Sequence, residues 1–118
     1  MTEIKNAKIT KTTLGHEDHG ILTFYIHLDY GGSGQGFGGY ALDSPIKING
    51  KFSHREGTKY GMVLVKKILD TLKIKRWEDL VGQNIRVKAD FSDISAISHF
   101  LDDTWFDIRK DMEKFNER

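Results

Sequence analysis

An α+β fold is predicted: an antiparallel sheet of about five strands, in the order β-β-β-α-β-β-α, with one main helix packed on one face. Three observations predict it. Leu22, Phe24, Ile26 and Leu28 alternate with Thr23, Tyr25, His27 and Asp29, which is the period of a half-buried strand in aromatic and β-branched company. Ile85, Val87, Ala89 and Phe91 alternate in the same way with Arg86, Lys88 and Asp90. Between these segments Leu64, Ile68 and Leu72 fall four apart with Val65 and Leu69 beside them, an apolar helical stripe.

The other elements fill in around these. Residues 4–13 alternate loosely, with Ala7 and Ile9 on one side and Lys8 and Thr10 on the other, as in an outer strand with a wet face. Residues 37–42 read as the return strand of a hairpin. Residues 44–58 lack periodicity and hold Pro45, Gly50 and Gly57, so they read as a long loop. Trp77-Glu78-Asp79-Leu80 reads as one short helical turn closed by Gly82. A shorter strand is expected at 94–101 and a charged helix at 107–117, docked by Trp105 and Phe106 as an apolar plug. Short connections favour antiparallel pairing. The whole chain, 1–118, reads as a single domain without repeat or linker.

Composition narrows the function classes. Eighteen Lys and Arg balance seventeen Asp and Glu, so no whole-molecule field draws the chain to nucleic acid or to a membrane surface. The absence of cysteine excludes disulfides, thiol nucleophiles and thiolate metal sites. No apolar run reaches the ~18–20 residues of a membrane span, and no signal-peptide core opens the sequence. A cytoplasmic protein is expected.

The segment Gly31-Gly32-Ser33-Gly34-Gln35-Gly36-Phe37-Gly38-Gly39 holds six of the twelve glycines. Each costs roughly 0.5–1 kcal/mol relative to alanine in a regular element, so something must offset the cluster. Gly34, Gly36 and Gly39 match G-x-G-x-x-G, but strands flank both sides and no helix starts there, which excludes a dinucleotide fold. Bare amides at Gly36, Gly38 and Gly39, walled by Tyr30, Phe37 and Tyr40, would make a cradle for an anionic ligand bearing a flat ring. Lys47, Lys51, Arg55 and Lys59 beside it would act as a basic flap. The structural alternative is a bulged, glycine-rich hairpin that serves packing alone, and a protein-docking hairpin is a third reading.

His16-Glu17-Asp18-His19 places two imidazoles and two carboxylates in four residues. Its readings are a solvated turn, a ligand-contacting turn through Glu17, Asp18 and His19, or a metal site. The spacing lacks the i, i+4 geometry of a helical zinc motif, so no metal ligand is assigned. His27 lies on the wet face two residues before the glycine run. No nucleophile is fixed beside it by spacing, so no catalytic residue and no cofactor are assigned.

The blocks Leu14-Gly15-His16-Glu17-Asp18-His19-Gly20-Ile21, Gly36-Phe37-Gly38-Gly39-Tyr40-Ala41-Leu42-Asp43, Trp77-Glu78-Asp79-Leu80-Val81-Gly82 and Asp103-Thr104-Trp105-Phe106 resemble a family of small phage and prophage proteins without an assigned activity. The resemblance implies a phage accessory protein made in a bacterial host cytoplasm and acting by stoichiometric binding. The leading expectation is sequestration of a phosphorylated nucleotide-type ligand, with a counter-defence role, through Glu17, Asp18, His19, His27, residues 36–40, Arg55 and Lys59. The alternatives are an inhibitor docking on a host defence protein and, more weakly, a metal-dependent hydrolase using His16 and His19. A small binder of this kind would form its pocket between two chains, as a homodimer.

Overall fold

The computed structural model describes residues 2–115. The α+β class is observed. Six strands form one antiparallel sheet in the order β3-β2-β1-β6-β7-β8: β1 (Glu3–Asp18), β2 (Ile21–Asp29), β3 (Gly34–Ala41), β6 (Asn84–Ala89), β7 (Ile94–His99) and β8 (Trp105–Asp107). A separate two-stranded sheet is made by β4 (Asp43–Ile48) and β5 (Lys51–Gly57). Helix α1 (Lys59–Leu72) covers the inner face, and a short α2 (Ile108–Asp111) follows β8. The extents are 50 × 29 × 27 Å, an elongated body with hairpins reaching out of it.

Strand β1 organises the sheet. Its first half pairs with β6, from Glu3 opposite Ala89 to Lys8 opposite Asn84, and its second half pairs with β2. The change of partner coincides with a bulge between Ile9 and Lys11. An extra residue there reverses which side chains face inward. Ala7 and Ile9 point to the core before the bulge, and Leu14, opposite Phe24, faces the same side after it.

A second bulge explains the glycine pair in β3. Tyr25 lies opposite Gly38 and Thr23 opposite Ala41, so β3 carries one residue too many. Gly39 takes φ +81°, the left-handed conformation that such a bulge needs. The parity switch brings Phe37, Tyr40 and Leu42 onto the same inner side. Phe24 packs there against Phe37 at 5.9 Å and Tyr40 at 6.2 Å between ring centroids.

Helix α1 lays Gly61, Leu64, Ile68 and Leu72 onto the sheet, the stripe that the sequence predicts. Thr58 caps it, its hydroxyl accepting from the Gly61 amide at 2.9 Å. Lys73 ends it in the left-handed conformation, where Ile74 N–H reaches the Leu69 carbonyl.

Four expectations are corrected. Residues 44–58 are not a loop: most of them form the β4–β5 hairpin around an Asn49-Gly50 turn with φ +53° and +77°. Its outer part packs on nothing, so no face needs to be apolar and the strand period is invisible. In the main sheet, in keeping with the expected antiparallel sheet of about five strands, residues 105–107 form β8. Trp105 and Phe106, adjacent in a strand, therefore point to opposite faces. Phe106 enters the core, while Trp105 lies on the outer face with the Arg86 guanidinium carbon at 5.3 Å and Lys88 Nζ at 4.6 Å from its ring centroid. Phe91 does not continue the inward row of β6: the strand stops at Ala89, and Phe91 stands fully exposed in the β6–β7 turn. Helix is confined to residues 108–111 with a 3-10 turn at 113–115, and the last part of the predicted 107–117 helix lies outside the described residues.

Candidate functional site

The sheet separates the residues singled out in the sequence. Glu17 and Asp18 end β1 and His19 forms the turn to β2, with its ring Nδ1 2.8 Å from Asp18 Oδ1. Arg55 is not free to act as a flap: its guanidinium donates to Asp43 Oδ1 at 2.9 Å and to the Asp43 carbonyl at 3.1 Å. That carboxylate also accepts from the Leu22 amide at 3.2 Å. The Arg55 hydrogen bond holds the Asp43 carboxyl below its ordinary range, against the opposing effect of burial. Lys59 opens α1 and is exposed.

The strand period divides the glycine segment. Phe37 is 2% exposed and belongs to the core, and Tyr40 packs beside it. Gly34, Gly36 and Gly38 take the alternate positions. A Cβ on Gly36 would sit 2.1 Å from the Tyr25 ring, and one on Gly38 would sit 2.4 Å from the Phe24 carbonyl oxygen. Tyr25 thus lies over Gly36 and takes the place of its missing side chain, with His27 alongside at 4.8 Å between ring centroids. Glycine is required along β3 for close packing.

The turn into β3 is different. An added Cβ at Gly31 or Gly32 would meet nothing within 4 Å, and both residues have positive φ, +92° and +151°. Asp29 Oδ1 accepts from the Gly31 amide at 3.0 Å, and Tyr30 N–H donates to the Ser33 carbonyl at 2.8 Å, which fixes this open backbone. Two hollows flank it and share Tyr30. One, about 230 Å³, lies between Lys5, Tyr30, Gln35 and Phe91. The other, about 260 Å³, lies between Asn6, Lys8, Gly31 and Phe100.

Each hollow combines a lysine, an exposed phenylalanine and bare main chain. Lys5 Nζ sits 4.8 Å from the Tyr30 ring centroid. Burial pushes the Tyr30 phenol above its usual value, so it keeps its proton and donates to Gln35 Oε1 at 2.6 Å. Gln35 Nε2 in turn donates to the Asp90 carbonyl at 3.0 Å, which ties β3 to the β6–β7 turn. Asp90 holds that turn by accepting from the Ser92 and Asp93 amides at 2.8 and 2.9 Å. Those backbone hydrogen bonds depress its pKa. Phe91 is therefore presented on a braced turn.

Of the sequence candidates, Gly36, Gly38 and His27 share the outer face near this turn, whereas Arg55, Glu17, Asp18 and His19 belong to the opposite end of β2. Seven residues separate Leu22 from Asp29, about 23 Å of strand. Lys5, Lys8, Phe91 and Phe100 were not among the candidates. The one available signal is the Asp90-Phe91-Ser92-Asp93 string, a turn sequence that exposes its aromatic.

Fold and hollows together define a small α+β protein whose sheet presents two hollows beside the β2–β3 turn, one on each face. Compared with protein-family models, curated proteins and solved structures, the chain matches none. Among the described residues, no group of three or more His, Asp or Glu side chains is placed to hold a metal ion, and no helix is long and apolar enough to cross a membrane.

Proposed function

We propose that this protein binds a phosphorylated, nucleotide-type small molecule stoichiometrically at the hollows beside Tyr30, on either side of the β2–β3 turn. The observation that carries the reading is the repetition on either side of Tyr30: Lys5 with Phe91, and Lys8 with Phe100, around the open backbone of Gly31 and Gly32. Lysine supplies charge for phosphate, the phenylalanines supply faces for a base, and glycine lets a ligand approach the main chain. Sequestration of a host signalling nucleotide by a phage accessory protein remains the biological reading, on the strength of the sequence resemblance. Relative to the sequence-based reading, the basic side of the site moves from Arg55 and Lys59 to Lys5 and Lys8.

The test is thermal shift and calorimetry against a panel of nucleoside phosphates and linear and cyclic dinucleotides. A bound ligand raises the melting temperature. Lys8→Glu and Phe91→Ala, both at exposed positions, abolish the rise while leaving the melting point of the free protein unchanged. A ligand response that both variants retain, or no response across the panel, overturns the assignment.

A further inference from the structure

The molecule carries an apolar protrusion and an apolar receptacle that it cannot join within one chain. The β4–β5 hairpin extends from the body as a two-stranded arm, and such a hairpin alone is only marginally stable in water. Near its tip Phe52 is 63% exposed and Ile48 54%. Phe52 pairs with Lys47 and Ile48 with Lys51, so each face of the tip presents one apolar and one basic side chain. At the root of the arm lies a cavity of about 390 Å³, walled by Leu14, Leu22, Leu42, Met62 and Val65, with Met62 71% exposed at its rim. Gly57, the last residue of β5, borders the same cavity.

Five residues separate Phe52 from Gly57, about 17 Å of extended strand. A chain cannot fold its own Phe52 back onto a cavity that starts at Gly57 without breaking the hairpin. A second copy can supply it. We infer that two copies exchange arms, each seating Phe52 in the apolar cavity of the other about a two-fold axis. Self-complementarity follows because every copy carries both halves of the contact. Lys47 and Lys51 flank the tip, and Glu17 and Asp18 end the strand whose Leu14 walls the cavity. Crossing arms would also lie side by side and offer each other the unpaired edges of a two-stranded sheet.

Sedimentation and light scattering on the full chain test this, with a dimer of twice 13.5 kDa expected. Phe52→Glu and Met62→Glu each weaken the dimer about tenfold or more. The absence of cysteine gives a direct second readout. Phe52→Cys protein mixed with Met62→Cys protein under mild oxidation gives a disulfide-linked heterodimer, in yield well above either variant alone. A monomer at every concentration overturns the inference, whatever else is then found in the cavity. So does cross-linking no better in the mixture than in the single variants.

Discussion

Replacing Gly61 with alanine should destabilise the protein, although alanine is the better helix former by about 1 kcal/mol. Gly61 is where α1 rests on the backbone at the β3–β4 junction. A Cβ there would lie 2.2 Å from the Leu42 carbonyl oxygen and 2.7 Å from its Cα, main-chain atoms that cannot swing aside. The first turn of the helix would have to retreat by about an ångström to restore ordinary contact. It is held where it is by Thr58, whose hydroxyl donates to the Leu42 carbonyl at 2.9 Å and accepts from the Gly61 amide at 2.9 Å. Overpacking costs roughly 1–3 kcal/mol and a disturbed N-cap about 1 kcal/mol. After the propensity gain, the net loss is about 2 kcal/mol, or about 8 °C in melting temperature for a domain of this size. Urea denaturation and calorimetry read both values. Gly15→Ala is the control, because a Cβ there meets nothing within 4 Å, and it should leave the protein as stable or about 0.5 kcal/mol more so. A Gly61→Ala protein at least as stable as its parent would refute the claim that the helix is seated directly on the Leu42 backbone.

The Asp43–Arg55 pair makes stability depend on acid. The folded pKa of Asp43 is depressed, so its contribution is complete above the unfolded value of about 3.9 and is lost as pH falls through the lower folded value. Asp43→Asn should cost roughly 1–3 kcal/mol at neutral pH, and the gap between variant and parent should close on acidification in denaturation curves taken from neutral to strongly acid buffer. In the β3 bulge, Gly38→Ala should destabilise more than Gly39→Ala. The first drives a Cβ to 2.4 Å from the Phe24 carbonyl, and the second faces only the left-handed backbone cost of about 1–2 kcal/mol. Equal melting points for the two would contradict the bulge geometry. Phe106→Ala should cost about 3–5 kcal/mol and Trp105→Ala markedly less, because only the former opens the core. A reversed order would place them on the wrong faces of β8.

Where one face of an element is pressed against the core, the sequence is legible. Strands β2 and β6 and helix α1 each carry a continuous apolar row because each buries one side: Phe24, Ile26 and Leu28; Ile85, Val87 and Ala89; Leu64, Ile68 and Leu72. The arm carries no such row, since most of its side chains meet only water, and its one local signature is Asn49-Gly50, a favoured hairpin dipeptide. The bulges at residues 9–11 and 38–41 are hidden for another reason: each shifts the period by one residue, which looks like noise in a pattern search. For the hollows, the glycine run marks the right neighbourhood. Gly36 and Gly38, however, are accounted for by Tyr25 and the Phe24 backbone lying against them and Gly34 by the Leu28 carbonyl, while Gly31, Gly32 and Gly39 stand open. Lys5 and Phe91 come from segments far apart in the chain, and nothing local announces their meeting at Tyr30.

The divided pairing of β1 has a consequence for synthesis. Residues 8–18 find β2 within a few residues of the hairpin turn, whereas Glu3 has no neighbour until Ala89 leaves the ribosome. Until then residues 3–7 are an unpaired ribbon with Ala7 in water. Closure of the sheet is therefore a late event, completed when β6 arrives to take up the waiting half of the first strand.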